Sequence, residues 1–119
     1  MKLGIIGAMS VEVEALKAKM ENTDVQIHAG SEYVSGTLEG IAAVVVQCGV
    51  GKVNAALCAQ ILCSVYGVTH LVNTGIAGSL DAQLDICDLV VSEDAMYHDF
   101  SSFFNDYRSY VQFISYLLY

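Results

Sequence analysis

Three apolar runs in this chain each lead into a glycine-punctuated turn, and that repeated arrangement restricts the fold more than any other feature. Leu3-Gly4-Ile5-Ile6-Gly7 passes into Gly7-Ala8-Met9, Ile41-Ala42-Ala43-Val44-Val45-Val46 leads to Gly49-Val50-Gly51, and Thr69-His70-Leu71-Val72-Asn73 leads to Thr74-Gly75-Ile76-Ala77-Gly78. Short runs rich in β-branched residues and bounded by glycine predict strands; the second, apolar without alternation, suits a strand buried on both faces. In an open α/β sheet, turns after such strands line the crevice at the strand carboxyl ends. Ligands bind there, and a missing Cβ lets backbone N–H groups approach them.

The segments between these runs fill in the rest. Ser10 stands where a helix N-cap is expected, ahead of the helically spaced Val13, Leu16 and Met20. Val25–Ala29 and Glu32–Leu38 are extended candidates around Gly30-Ser31, and Gly40 separates the second from Ile41, so two hairpins are expected. Val53–Tyr66 is rich in alanine and leucine, is apolar around most of its circumference and ends at Gly67. It predicts a helix packed on two sides, or one that also faces another subunit. Leu89-Val90-Val91 is a further strand, continuing toward Tyr97. Strands alternating with helices after a meander imply an α/β fold with a mixed sheet.

Composition narrows the function classes. The 119 residues amount to about one small domain. A hydrophobic share of 55% provides ample apolar surface for a packed core, which excludes intrinsic disorder. Five Lys and Arg against thirteen Asp and Glu give a net charge of −8, which disfavours nucleic acid and anionic membrane surfaces as partners. The apolar stretch before Glu12 is too short for a signal-peptide core, and polar residues and glycines interrupt the charge-free stretch from Val53 to Leu80, so no membrane span is expected. Cys48, Cys58, Cys63 and Cys87 form no Cys-x-x-Cys pair, and His28, His70 and His98 do not complete a zinc site. Reduced, buried thiols in a cytoplasmic protein, with no metal, are the expectation.

Few side chains suggest chemistry on their own. Glu12 and Glu14 fall in the first turn of the first helix, where the helix dipole stabilises a carboxylate whether or not it reacts. Lys52 sits at a helix start, where a cation needs a partner, and His98-Asp99 reads as an exposed loop more readily than as a base with its orienter. Familiar phosphate motifs fail: Gly51-Lys52 is followed by valine, and Gly4-Ile5-Ile6-Gly7 lacks the dinucleotide spacing.

Taken together and in order, the motifs resemble the 5′-methylthioadenosine/S-adenosylhomocysteine nucleosidase family. The residues that carry the resemblance are Lys2–Met9 with Glu12, Gly49-Val50-Gly51-Lys52-Val53-Asn54-Ala55-Ala56, Val72–Gly78, and Asp88–Ser92 with Tyr97-His98-Asp99. The resemblance implies a three-layer α/β/α fold with a mixed central sheet. It also implies hydrolysis of the N-glycosidic bond between adenine and a 5′-thio-substituted ribose, without metal or organic cofactor, in a homodimer. Breaking that bond passes through a cation-like sugar, so the site needs a carboxylate to activate water and an acid to protonate the leaving base. By resemblance Glu12 is the water-activating base. Ala8 and Met9 form the turn beside the nucleoside, Val50 is an apolar contact near the thioalkyl end, and Ile76, Ala77 and Gly78 approach ribose and base.

The resemblance covers residues 1–100. Seven of the eleven aromatic residues lie in Ser101–Tyr119, which contains no glycine and matches none of the family's motifs. The later half of the family supplies the adenine contacts, a Met-Glu pair at the ribose hydroxyls and the acidic Asp. The chain is therefore expected to be a truncated domain (1–100) with a nonhomologous tail (101–119), inactive alone, its sheet left with an uncovered face rich in Val and Ile. The tail's Val111, Phe113, Ile114, Leu117 and Leu118 suit a short helix in preference to an edge strand against that face. Two alternatives stand beside the nucleosidase: a non-catalytic fragment or dimerising unit built on the Val53–Tyr66 helix, and a purine nucleoside phosphorylase relative. The last needs cations for phosphate, yet the only arginine is Arg108.

Overall fold

The computed structural model describes residues 1–79 and 81–92 and the backbone of 114–116. Expectations placed on Tyr97, His98, Asp99 and the rest of the tail lie outside the described residues. Strand β1 (Lys2–Gly7) runs into helix α1 (Ser10–Ala18), followed by a meander of β2 (Glu21–His28), β3 (Ser31–Leu38) and β4 (Ile41–Gln47). Helix α2 (Lys52–Ser64) then crosses to β5 (His70–Asn73). These strands form one mixed sheet in the order β2-β3-β4-β1-β5, with β1 parallel to both its neighbours and the meander antiparallel.

Both hairpins close through two-residue turns, Ala29-Gly30 and Glu39-Gly40, in which both residues have positive φ (50° and 81°, 48° and 77°). That backbone twist matches the twist of the flanking strands, and glycine at the second position leaves only the first residue to bear the cost of a positive φ.

Alternation along the central strands divides the core in two. Ile6, Val44 and Val46 point to α2, where they pack with Tyr33, Cys48, Cys58 and Leu62. Ile5, Ala43 and Val45 point the other way, to Val13 of α1 with Met20 and Val34. The result is a three-layer α/β/α arrangement with β4 at its centre, Ala43 to Val46 fully buried.

The structure corrects several expectations. The centre of the sheet is covered on both faces, since α1 and α2 are packed on opposite sides. Exposed aliphatic side chains occur instead on the edge strand β2, with Ile27 75% exposed, and on the outer side of α2, with Val53 82% exposed. Helix α2 therefore packs on one side among the described residues, and it spans Lys52–Ser64, not Val53–Tyr66. The N-cap of α1 is Met9, and Ser10 is already helical. Cys48 and Cys58 are buried, but Cys63 and Cys87 are exposed, and none of the four forms a disulfide. In the tail, Ile114–Tyr116 is a strand, β7, and not a helix; it pairs antiparallel with β6 (Leu89–Val91). Its Ile-Ser-Tyr sequence alternates with the two-residue period of a strand.

Candidate active site

Strands β4, β1 and β5 run parallel, so their carboxyl ends share one edge of the sheet, and all three glycine turns emerge there. The sheet's hydrogen bonding continues one step into the turns: the Cys48 N–H donates to the Gly7 carbonyl (2.9 Å) and the Thr74 N–H to the Ile6 carbonyl (2.9 Å). The starts of the second and third turns are thereby fixed on either side of the first.

Glu12 lies in the first turn of α1, half-buried, and its carboxylate links the first turn to the third. One oxygen, Oε2, accepts the Met9 N–H at 2.8 Å; the other, Oε1, accepts the Ile76 N–H at 3.2 Å. The donors lie 67 positions apart in sequence and meet on one side chain. The Met9 bond satisfies the N–H that the helix leaves unpaired at its cap, and the helix N-terminus favours negative charge. Each oxygen has two acceptor directions, so a carboxylate bonded once at each oxygen keeps one free direction on each. The arrangement holds a base in a fixed plane with acceptor capacity left for a water molecule.

Of the other expected site residues, Ala8 and Met9 form the β1–α1 turn itself. Ile76, Ala77 and Gly78 are exposed beyond β5, and Gly78 has open space where a Cβ would stand. Val50 is 77% exposed between Gly49 and Gly51, both with positive φ (80° and 108°). Its carbonyl accepts the Asn54 side-chain amide at 2.8 Å, which ties this turn to α2 and not to Glu12. Glu14 is exposed and Lys52 opens α2.

Sequence reasoning singled out Gly7 and Gly75 as turn formers but missed their contact with the carboxylate. A Cβ built on Gly75 meets Glu12 Oε1 at 2.6 Å, and one built on Gly7 meets Val13 Cγ1 at 2.6 Å and Glu12 Cβ at 3.2 Å. Cys48, buried at the start of the second turn, was read only as a core thiol. Burial first, then the neighbouring Cys58, push its ionisation upward; Glu12 adds in the same direction, while a backbone hydrogen bond opposes it. Among the described residues no group of three His, Cys, Asp or Glu side chains converges on a metal position, and no helix is long and apolar enough to cross a membrane.

Residues 2–117 match the family model of the phosphorylase superfamily. The chain belongs to the phosphorylase superfamily. Within that superfamily it is similar to the 5′-methylthioadenosine/S-adenosylhomocysteine nucleosidase of Colwellia psychrerythraea, 48% identical over 99 residues, or 83% of this chain and 41% of the relative. A crystal structure of a Colwellia psychrerythraea nucleosidase in complex with adenine superposes with a TM-score of 0.83 at 47% identity, covering 86% of this chain and 42% of that one. The Streptococcus pneumoniae nucleosidase with a transition-state inhibitor gives a TM-score of 0.82 at 36% identity, covering 86% and 44%. The chain thus spans less than half the length of these superfamily members.

Proposed function

We propose that this chain is the N-terminal part of a nucleosidase that hydrolyses the N-glycosidic bond of 5′-methylthioadenosine or S-adenosylhomocysteine and releases adenine. The observation that carries the proposal is the Glu12 carboxylate, held by N–H groups of two separate turns at the carboxyl edge of the sheet. In this reading Glu12 orients a water molecule and takes its proton as the oxygen attacks the anomeric carbon. The C–N bond breaks, its electron pair leaves with the base, and an acid outside residues 1–100 protonates that base. Ala8 and Met9 flank the nucleoside, Val50 meets the apolar 5′ substituent, and the exposed Ile76-Ala77-Gly78 backbone approaches ribose and base.

In this reading water is the nucleophile. Among the described residues Lys17 is bonded to Glu32 (3.0 Å) and Lys2 to the Tyr66 carbonyl (2.8 Å), so neither is directed at the Glu12 carboxylate. The complete enzyme is a cytoplasmic homodimer that pairs through the outer face of α2, and it takes a small purine nucleoside and no cofactor. Residues 1–100 form the segment that carries the nucleosidase motifs, and 101–119 a tail whose strand Ile114–Tyr116 pairs with β6.

The test is adenine release from methylthioadenosine by a chimera joining residues 1–100 to the remaining length of the Colwellia enzyme. Turnover is expected, and Glu12→Gln should lower kcat by about 10²–10⁴-fold, the usual worth of an acid–base group. An unchanged kcat in Glu12→Gln would overturn the assignment of the base. The 119-residue chain alone is expected to release no adenine.

A further inference from the structure

Gly75 is not needed for the shape of its own backbone. Its φ lies outside the left-handed region, unlike those of Gly30, Gly40, Gly49, Gly51 and Gly67, so an alanine there is not strained by the main chain. Nor does the apolar core crowd it. The three heavy atoms nearest to a Cβ at this position all belong to Glu12: Oε1 at 2.6 Å, Cδ at 3.0 Å and Oε2 at 3.5 Å. The same Oε1 accepts the N–H of Ile76, the residue after Gly75. For the carboxylate to reach that N–H it must lie against the Gly75 Cα, and only a residue without a Cβ permits this.

We infer that Gly75 is a positioning residue acting through Glu12: its missing side chain is the space in which the carboxylate seats against the Ile76 N–H. The inference rests on the role proposed for Glu12 and deepens it. Gly7 makes a contrast, because a Cβ there strikes Val13, a fully buried anchor of α1, and the consequence is a packing fault. At Gly75 the opposing group is the far end of a flexible side chain. An alanine methyl displaces it by several tenths of an ångström while the fold stays intact. A hydrogen bond already at 3.2 Å does not survive such a displacement.

The inference is tested on the 119-residue chain by amide hydrogen exchange followed by NMR. An N–H held in a hydrogen bond exchanges more slowly than a free one. In the native chain exchange of the Ile76 amide is expected to be slowed, and Glu12→Ala to remove that protection. Gly75→Ala should shrink it by at least about threefold, given the steep distance dependence of the bond, with the spectrum still dispersed and Tm unchanged or higher. Gly78→Ala, in open space on the same loop, should leave it intact. Full Ile76 protection in Gly75→Ala, no protection in the native chain, or an unfolded Gly75→Ala beside a folded Gly78→Ala would each overturn the inference.

The chimera supplies a second readout. Gly75→Ala should slow turnover when Glu12 is present and have no further effect in Glu12→Gln, because both changes act through one group. Equal slowing in both backgrounds would also overturn the inference. A chimera without turnover would count against the nucleosidase reading and leave the amide result standing.

Discussion

The interior of the sheet and its carboxyl rim belong to the same strands, separated by a few residues, and they are held by different forces. Ala43 to Val46 of β4 are fully buried between α1 and α2, yet Gln47 is exposed and Val50 is 77% exposed. The interior is fixed by burial of many aliphatic groups, each worth about 1.5–3 kcal/mol. The rim is fixed by a few hydrogen bonds: Gly7 to Cys48, Ile6 to Thr74, and the Glu12 carboxylate to Met9 and Ile76. The interior therefore sets where the turns begin, and one side chain, Glu12, sets how two of them stand relative to each other. The proposed chemistry falls on the part of the molecule with the fewest constraints, and that makes each rim bond matter.

The largest effect should come from emptying the interior. Leu62, fully buried on the inner face of α2, packs in the cluster with Ile6, Val44 and Val46. Leu62→Ala is expected to cost about 2–5 kcal/mol in urea denaturation, combining lost transfer energy and the cavity left behind. Leu57, on the same helix but 47% exposed, should lose far less on truncation, within about 1 kcal/mol. Equal losses at the two positions would break the distinction between inner and outer faces of α2.

An intermediate effect is expected where the interior is not purely apolar. Tyr33 and Tyr66 stack with centroids 5.4 Å apart and His28 meets both edge-on. Among the described residues the two buried hydroxyls have no well-formed hydrogen bond, and that of Tyr33 lies beside the weakly bonding Cys58 thiol. Burial, reinforced by Cys58, drives the Tyr33 phenol far above its ordinary value, and burial raises Tyr66 and Cys48 as well. All three are held in their neutral, protonated forms. As pH rises past the ordinary values of 9.0 for the thiol and 10.0 for the phenols, the unfolded chain releases protons that the folded chain retains. Stability is thus at its full value below about pH 8 and falls above it, by up to about 1.4 kcal/mol per pH unit for each group. Tyr33→Phe should flatten the decline above pH 10. It should also raise stability at pH 7 by about 1 kcal/mol, by removing a buried hydroxyl whose neighbour is a weakly bonding thiol. Destabilisation at pH 7 would show that the hydroxyl is bonded.

How much of this was legible in the sequence follows the same division. The strands, the meander and the double-sided burial of β4 could be read from Ile41–Val46 and the glycine punctuation, because many residues report the same burial pattern. Helix α1 was legible from Val13 and Leu16, but it ends at Ala18, short of Met20. Its start was not legible either: Ser10 has the side chain of a cap, while the Glu12 carboxylate bonds the Met9 N–H and moves the boundary back by one residue. An uncovered sheet face is expected when the family's later half is missing, yet α1 and α2 by themselves pack on opposite faces of the central strands. In the site, Glu12 and the turns could be named by resemblance. Its bond to Ile76 could not, since it joins positions 64 residues apart through a contact that depends on Gly75 lacking a Cβ. The tail strand Ile114–Tyr116 was read as a helix because its aliphatic spacing fits both periods, and pairing with Leu89–Val91 decided between them.

The smallest effect on stability should fall on the rim's most exposed apolar residue. Val50 covers nothing in the core, and its turn keeps its shape through Gly49, Gly51 and the Asn54 amide bonded to the Val50 carbonyl, none of which involves the valine side chain. Val50→Ser should therefore change unfolding free energy by no more than about 0.5 kcal/mol. In the chimera, the same change should weaken binding of a nucleoside with an apolar 5′ substituent more than that of one with a 5′ hydroxyl. One lost apolar contact of this size is worth roughly 1 kcal/mol, about fivefold in KM. A loss of stability above about 1 kcal/mol would mean that the second turn belongs to the interior after all. Equal weakening of both nucleosides would separate Val50 from the 5′ end, leaving Glu12, Met9 and Ile76 as the part of the rim where structure and the proposed chemistry coincide.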